Sequence, residues 1–451
     1  MRQVTTGIMQ TLIKVTPPAT LSRAANPARK LRASGQLLPM AILPGALLAA
    51  AFIMSVPSLS AQRPLSLQQA VAQGLANAPE SHTSQDHVQQ QQAQIAQARL
   101  RPNPRLFLQS EDLRPWANDF SFPNSTEDYG YLSQSFELGG KRGKRIAYAK
   151  AGVLRAQSEN VLAQRQIAAG IADAYWAAVL TRDAVLEWQH QLADFDRIVQ
   201  YQSDRVHAGA AAGVDLLRTQ VERDRITLSL AQAQRDAEAA SLTLARRTAL
   251  PLTQVQQLSD PLEAQRPVAE LPMTTAVEQR PDVAIARDAL QEARENLRLQ
   301  HANAIPNADL LGGYKRDVGT DTLYAGLQID LPFFNRNQGA IALATADIQL
   351  ALDQLAFTRL SAAAQIALAV SNYQSEQALV RNTLPTMLDR AVQNAAIISD
   401  AYRSGGTDLL RYLDAERILI DTHLQTLQTW AEYQRAVVAL QLAYGEFGEQ
   451  P

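Results

Sequence analysis

The sequence predicts a mainly α-helical fold with a small β part, built by internal duplication and suited to the wall of a tube. Three observations carry this reading. Pro79, Pro104 and Asp215-Leu216-Leu217-Arg218 recur in order as Pro281, Pro306 and Asp408-Leu409-Leu410-Arg411, at offsets of 202, 202 and 193 residues. A repeat unit of roughly 200 residues is far longer than a solenoid repeat. Two long stretches, 145–207 and 340–404, hold a single proline between them, Pro385. Short alternating segments precede each stretch. The duplication divides the chain into a leader at 1–60, a first repeat at 61–260 and a second at 261–451.

The leader reads as an export signal. Arg23, Arg29, Lys30 and Arg32 precede an apolar run from Leu37 to Val56, and Ser58-Leu59-Ser60-Ala61 supplies small residues for cleavage. An uncleaved anchor helix is the other reading, but Pro39, Pro44 and Pro57 favour removal. Cleavage takes away six of the 42 basic residues and no acidic one, so 44 acidic residues then face 36 basic. That balance argues against a nucleic-acid partner, which needs a basic stripe. There is no cysteine, which excludes disulfides, thiolate metal sites and a lipid-modified N-terminal cysteine. After the leader no stretch is expected to reach the ~20 apolar residues of a spanning helix. A closed barrel of short strands remains as a way across a membrane.

Residues 65–78 form a first helix, stopped at Pro79, and 80–101 a polar helix ended by Pro102-Asn103-Pro104, because proline removes a donor and restricts its predecessor. Leu106–Asp112 and Tyr129–Leu138 are candidate strands around a loop at 113–128. In the second half Ala308–Lys315 and Thr322–Leu331 bracket a turn at 317–321. The last strand alternates: Leu323, Ala325, Leu327, Ile329 and Leu331 against Tyr324, Gly326, Gln328 and Asp330. Period two with one apolar face fits either a barrel strand or a two-sided soluble hairpin. Alternation alone favours the hairpin, and the long helices shift the balance toward a barrel. Roughly sixty residues at 1.5 Å rise make a rod about 90 Å long, which must pack lengthwise on others. Ala163, Ala168, Ala169, Ala172 and Ala362 to Ala364 allow close approach, and no strict leucine heptad points to a dimeric coiled coil. Each rod turns at a Gly-rich loop, 208–213 or 404–407. Asp215 and Asp408 then begin the returning helices, where a carboxylate favours free N–H groups and the positive dipole end.

Little in the sequence points to chemistry. The six histidines show neither paired spacing nor neighbouring ligand clusters, and His82, Asp86 and His87 read as helix polarity. No nucleophile elbow, P-loop or dinucleotide fingerprint is present, so no catalytic residue, cofactor or resident metal is assigned. Lys141, Arg142, Lys144 and Arg145 follow a strand, either as a solvated helix start or facing lipid headgroups. Trp116, Phe120 and Phe122 either pack over a barrel mouth or form a small loop core, and the loop core is the favoured expectation.

The chain resembles the TolC-type outer-membrane efflux proteins over nearly all of residues 65–447. The resemblance rests on LSLQQAVAQGLANAPE (65–80), RPNPRL (101–106), QSFELGGKRGKRI (134–146) and HAGAAAGVDLLRTQ (207–220). It continues in RPDVAIARDAL (280–290), LPFFNRNQGAI (331–341) and YRSGGTDLLRYLDAERILI (402–420). FELGGKR and PFFNRNQGAI are similar to the cobalt–zinc–cadmium resistance (CzcC-like) branch. The resemblance implies a homotrimer in which each chain gives four strands to one transmembrane β-barrel set in outer-membrane lipid. Below it the helices form an α-helical tunnel through the periplasm. Loops 113–128 and 316–321 would then face outward, and the Gly-rich turns would lie at the periplasmic end. It also implies a non-enzymatic exit duct of a tripartite pump, with an inner-membrane RND transporter and a periplasmic membrane-fusion adaptor as partners. Heavy-metal cations are the cargo by branch; a drug or organic-solvent duct and a periplasmic coiled-coil scaffold are the alternatives. Motif matching places the gate at Arg411 and Asp414, and adaptor contact at Gly209, Gly213, Asp215, Leu216, Leu217, Gly405, Gly406, Asp408, Leu409 and Leu410.

Overall fold

The computed structural model describes residues 64–447; the leader at 1–60 lies outside them. The first half runs α1 (Leu67–Asn77), α2 (Pro79–Ala98), β1 (Arg105–Glu111), a single turn α3 (Phe122–Ser125), β2 (Glu127–Phe136), α4 (Lys141–His207) and α5 (Gly213–Thr248). A connection holding the turn α6 (Leu252–Val255) leads to α7 (Met273–Gln279), α8 (Pro281–Asn303), β3 (Ala308–Asp317) and β4 (Thr320–Ile329). Then follow α9 (Gln338–Ala378), a π turn (Leu379–Thr383), α10 (Leu384–Arg403) and α11 (Leu409–Tyr444).

Local chemistry sets the ends. Ser66 caps α1 reciprocally with Gln69, and Pro79 and Pro281 sit in the first turns of α2 and α8, where no intrahelical donor is needed. The rod expected over 340–404 is continuous but carries the π turn just ahead of Pro385. Proline cannot donate into the ladder, and one wide turn absorbs the misfit.

The four strands form one antiparallel sheet in the order β1-β2-β3-β4, so the β2–β3 ladder joins the two halves. The turn expected over 317–321 is tighter: only Val318 and Gly319 lie outside the ladder, both at positive φ, as a two-residue hairpin turn requires. On one face Leu106, Leu108, Leu132, Leu310, Leu323 and Leu327 are exposed, Leu323 to 85 %. The opposite face carries Gln109, Glu127, Ser133, Lys315, Thr322 and Gln328. An exposed leucine face on a sheet with two unpaired edges fits lipid far better than water. Trp116 and Phe122 are also exposed, so the expected loop core does not form among the described residues.

The helices bury three clusters. One is built on Tyr175, Trp176 and Ile171 of α4, the second on Ile366, Tyr373 and Tyr433 of α9 and α11, and the third on Phe195, Tyr402 and Tyr412 near the turns. Ala168, Ala172 and Ala362 are fully buried, letting helix axes approach as their size predicts. One expectation is corrected. The helix Gln338–Arg403 contains an 18-residue window of mean hydropathy 1.3 that is long and apolar enough to cross a membrane. Its hydropathy comes mainly from Leu and Ile spaced among alanines, with polar residues interrupting every apolar run.

The basic run at the start of α4 is also placed. Arg142 Nε–H donates to the Arg99 carbonyl (2.7 Å), and Arg145 donates to the Ala98 and Leu100 carbonyls (3.1 and 2.9 Å). These are the carbonyls that the end of α2 leaves without helical donors. Arg145 also pairs with Glu137 at 2.6 Å, and this bond holds the Glu137 carboxyl below the usual carboxylate range. Most of this cluster's charge therefore binds chain, and the headgroup reading is left to Lys144, which stays exposed.

Candidate functional site

The two turns that end α4 and α10 have the same backbone. Gly209 and Gly405 are left-handed (φ 72° and 79°). The next N–H bonds back five residues, Ala210 to Arg205 (2.8 Å) and Gly406 to Ala401 (2.7 Å). This is the glycine-ended closure that satisfies a helix's last carbonyls. The helices that follow differ. Asp408 caps α11 by accepting the Arg411 N–H at 2.9 Å. Asp215 lies within the first turn of α5, whose N-cap is Ala212, so it acts through the dipole alone.

The structure brings together residues that the sequence did not single out. Tyr402 at the end of α10 stacks on Tyr412 of α11 (5.0 Å, 6°) and meets Tyr201 of α4 edge-on (6.4 Å). Its hydroxyl accepts from Gln202, which is fully buried, and from Arg205 Nη1 at 3.1 Å. Arg205 also donates to the Ala210 carbonyl, so one guanidinium ties the first turn to the second. The only sequence signal was a tyrosine on each side of the second Gly-rich loop. Burial pushes the Glu416 carboxyl and the Tyr412 hydroxyl upward, which makes this a dry spot next to solvent.

The predicted residues fall around this cluster. Leu409 is buried in it, so it packs the tip and is not free for contact. Leu217 and Leu410 are exposed, and Leu216 is half-buried. Gly213 begins α5, and Gly406 closes the second turn. Arg411 and Asp414 are both exposed on α11 and share no ion pair among the described residues. With Val214, Leu217 and Val221 of α5 they line a groove of about 670 Å³. Glu222 spans it, bonded to Arg225 (2.8 Å) and to Arg417 of α11. Among the described residues no group of three or more His, Cys, Asp or Glu side chains could hold a metal ion.

A sheet with a lipid-compatible face, carried on long helices that end in paired turns, defines a membrane channel. The sequence matches the family described as outer membrane efflux protein over residues 70–250 and 273–446. The chain belongs to that family. It is a channel and not an enzyme, and it resides in the outer membrane with its helical tunnel in the periplasm. It is similar to the cobalt-zinc-cadmium resistance protein CzcC of Cupriavidus metallidurans, with 28 % identity over 357 residues, 78 % of this chain and 83 % of that one. The nickel-cobalt-cadmium resistance protein NccC of Alcaligenes xylosoxydans xylosoxydans is 28 % identical over 331 residues, 71 % of this chain and 73 % of NccC. Among solved structures it shares the fold of CusC (TM-score 0.71, 18 % identity, covering 84 % of this chain and 91 % of that one). VceC of Vibrio cholerae gives a TM-score of 0.70 at 21 % identity, covering 85 % and 97 %.

Proposed function

We propose that three copies of this chain form the exit duct of a tripartite RND-type pump that exports heavy-metal cations such as cobalt, zinc or cadmium. The observation that carries the duct is the sheet: four strands with both outer edges unpaired and leucines turned outward. Four strands cannot close, and copies of the chain would remove the edges. The similarity to CzcC and NccC, both named for metal resistance, supports the cargo. The paired turns, with the α5–α11 groove beside them, are the contact for a periplasmic adaptor. Arg411 and Asp414, exposed beyond the second turn, line the entrance and act as its gate. The test is metal tolerance of a strain lacking the protein, complemented by wild type and by Arg411→Ala/Asp414→Ala. Selective sensitivity to zinc, cobalt or cadmium that wild type restores is the expected result. Sensitivity to organic compounds alone would overturn the cargo, and wild-type tolerance in the double variant would remove the gate.

A further inference from the structure

The water-side face of the sheet can be read row by row across the ladder. The outermost row holds Glu111, Glu127, Asp317 and Thr320; the next holds Gln109, Tyr129, Lys315 and Thr322. The third row is Phe107, Tyr131, Gly313 and Tyr324. Below it come Arg105, Ser133, Leu311 and Gly326, then Ser135, Asp309 and Gln328. The third row thus concentrates three aromatic rings at one height, with small and polar residues dominating the rows beneath. The rings touch: Phe107 stacks on Tyr131 at 4.7 Å, and Tyr131 meets Tyr324 edge-on at 6.2 Å across Gly313. A Cβ at position 313 would lie 2.5 Å from the Tyr131 Cβ, so glycine there lets the tyrosine lie over the strand. Phe107 nevertheless remains 40 % exposed.

Such a row matters because of barrel size. Four strands per chain in the proposed trimer give twelve, between the ~8 strands whose interior side chains fill and the ~16 that leave an aqueous channel. At that width the side chains decide what passes. We infer that the row Phe107–Tyr131–Tyr324, repeated in three chains, is an aromatic belt that forms the narrowest level of the barrel lumen and sets the size limit for solutes leaving through it. Small hydrated cations pass the belt, and bulky organic solutes are held back. Covering Gly313 is a separate, structural task for Tyr131, so the test must not rest on that residue. The inference depends on the duct reading of the sheet faces.

The absence of cysteine makes single-cysteine labelling clean. Thr322→Cys and Gln328→Cys lie on β4 on the same face, one on each side of the belt; Leu327→Cys lies on the lipid face. Whole cells would receive membrane-impermeant maleimides, one small and one polymer-tailed, with intact trimer on a native gel as the folding check. Thr322→Cys is expected to react with both reagents, Gln328→Cys with the small one only, and Leu327→Cys with neither. Adding Tyr324→Ser, or separately Phe107→Ala, should raise polymer labelling of Gln328→Cys about tenfold relative to Thr322→Cys, a barrier change of about 1.4 kcal/mol. Equal polymer labelling of the two sites with the belt intact would overturn the inference, as would no change in either variant. Labelling of Leu327→Cys without Thr322→Cys would overturn the duct reading itself.

Discussion

Helices α5 and α11 occupy the same place in the two halves and have the same length, 36 residues each, yet α11 buries sixteen residues and α5 only four. The difference does not come from a polar α5. Val214, Val221, Leu228 and Leu242 recur at multiples of seven and are all exposed, Leu228 to 73 %. A seven-residue apolar stripe is the seam of a helix packed lengthwise on another helix, and among the described residues these side chains stay largely uncovered. Helix α11 therefore packs into the protomer's core, while α5 leaves its stripe open. The same holds for α9, where Leu343, Leu350 and Phe357 are exposed at the same spacing. The apolar window of that helix is only 11 % buried within the described chain, as the proposed trimer would require of a subunit seam.

This contrast can be broken most directly in the core. Tyr433 of α11 is buried, packs against Tyr373 and Trp430 at 6.0 and 5.8 Å, and exchanges hydrogen bonds with the Arg266 backbone. Tyr433→Ala is expected to cost the protomer about 3–5 kcal/mol, as deleting a buried aromatic does. Denaturant unfolding and folded yield are the measurements. The counterpart on α5 is Leu228→Asp. A surface change of this kind costs the protomer less than about 0.5 kcal/mol, yet it places a carboxylate in the proposed seam. Unfolding should be unchanged and the trimer lost on a native gel. A stable trimer would show that the stripe is not a subunit contact.

The turns sharpen the comparison further. Tyr402→Phe keeps the ring stack on Tyr412 but removes the acceptor for Gln202 and Arg205, leaving buried Gln202 short of a partner. A loss of about 1–3 kcal/mol at the tip is expected, read as a higher open fraction in single-channel recording with little change in global unfolding.

What could be read in the sequence follows from distance along the chain. The strands are legible to within two residues of their ends, and so is the N-cap at Asp408, because period two and capping are local patterns. The belt Phe107–Tyr131–Tyr324 was not seen, since it exists only once the register of three strands is fixed. Gln202 and Tyr402 are 200 residues apart; no spacing rule reaches them. Arg142 and Arg145 looked like free charge because their carbonyl partners lie more than forty residues upstream. The proposed gate rests on motif alone, and side-chain placement adds the dry tyrosine cluster next to it.

The smallest expected effect concerns how each returning helix is tied to α4. The tie of α5 is Arg223–Asp196 (2.9 Å), exposed on both sides and worth little. The tie of α11 is His423–Glu187 (2.8 Å), half-buried, with Gln191 also donating to the carboxylate and His190, Arg182, Asp183 and Glu263 around it. The hydrogen bond to Glu187 raises the His423 pKa above its ordinary 6.5. Burial works to raise Glu187, but the bonds from His423 and Gln191 outweigh it and hold the carboxyl below its ordinary 4.5. A raised histidine contributes stability that is full below its unfolded value and is lost as pH rises through the folded one. A depressed carboxylate contributes above its unfolded value and loses that contribution as pH falls through the folded one. The pair therefore stabilises most between 4.5 and 6.5, and the contribution fades above that window as the imidazole loses its proton. The guanidinium of the α5 tie does not titrate in this range, so only α11 should loosen. Unfolding of wild type and His423→Gln, compared inside the window and two units above it, should converge at the higher pH and differ by about 1 kcal/mol inside it. A gap of equal size at both would assign His423 to packing and leave α11 without a pH-sensitive hold.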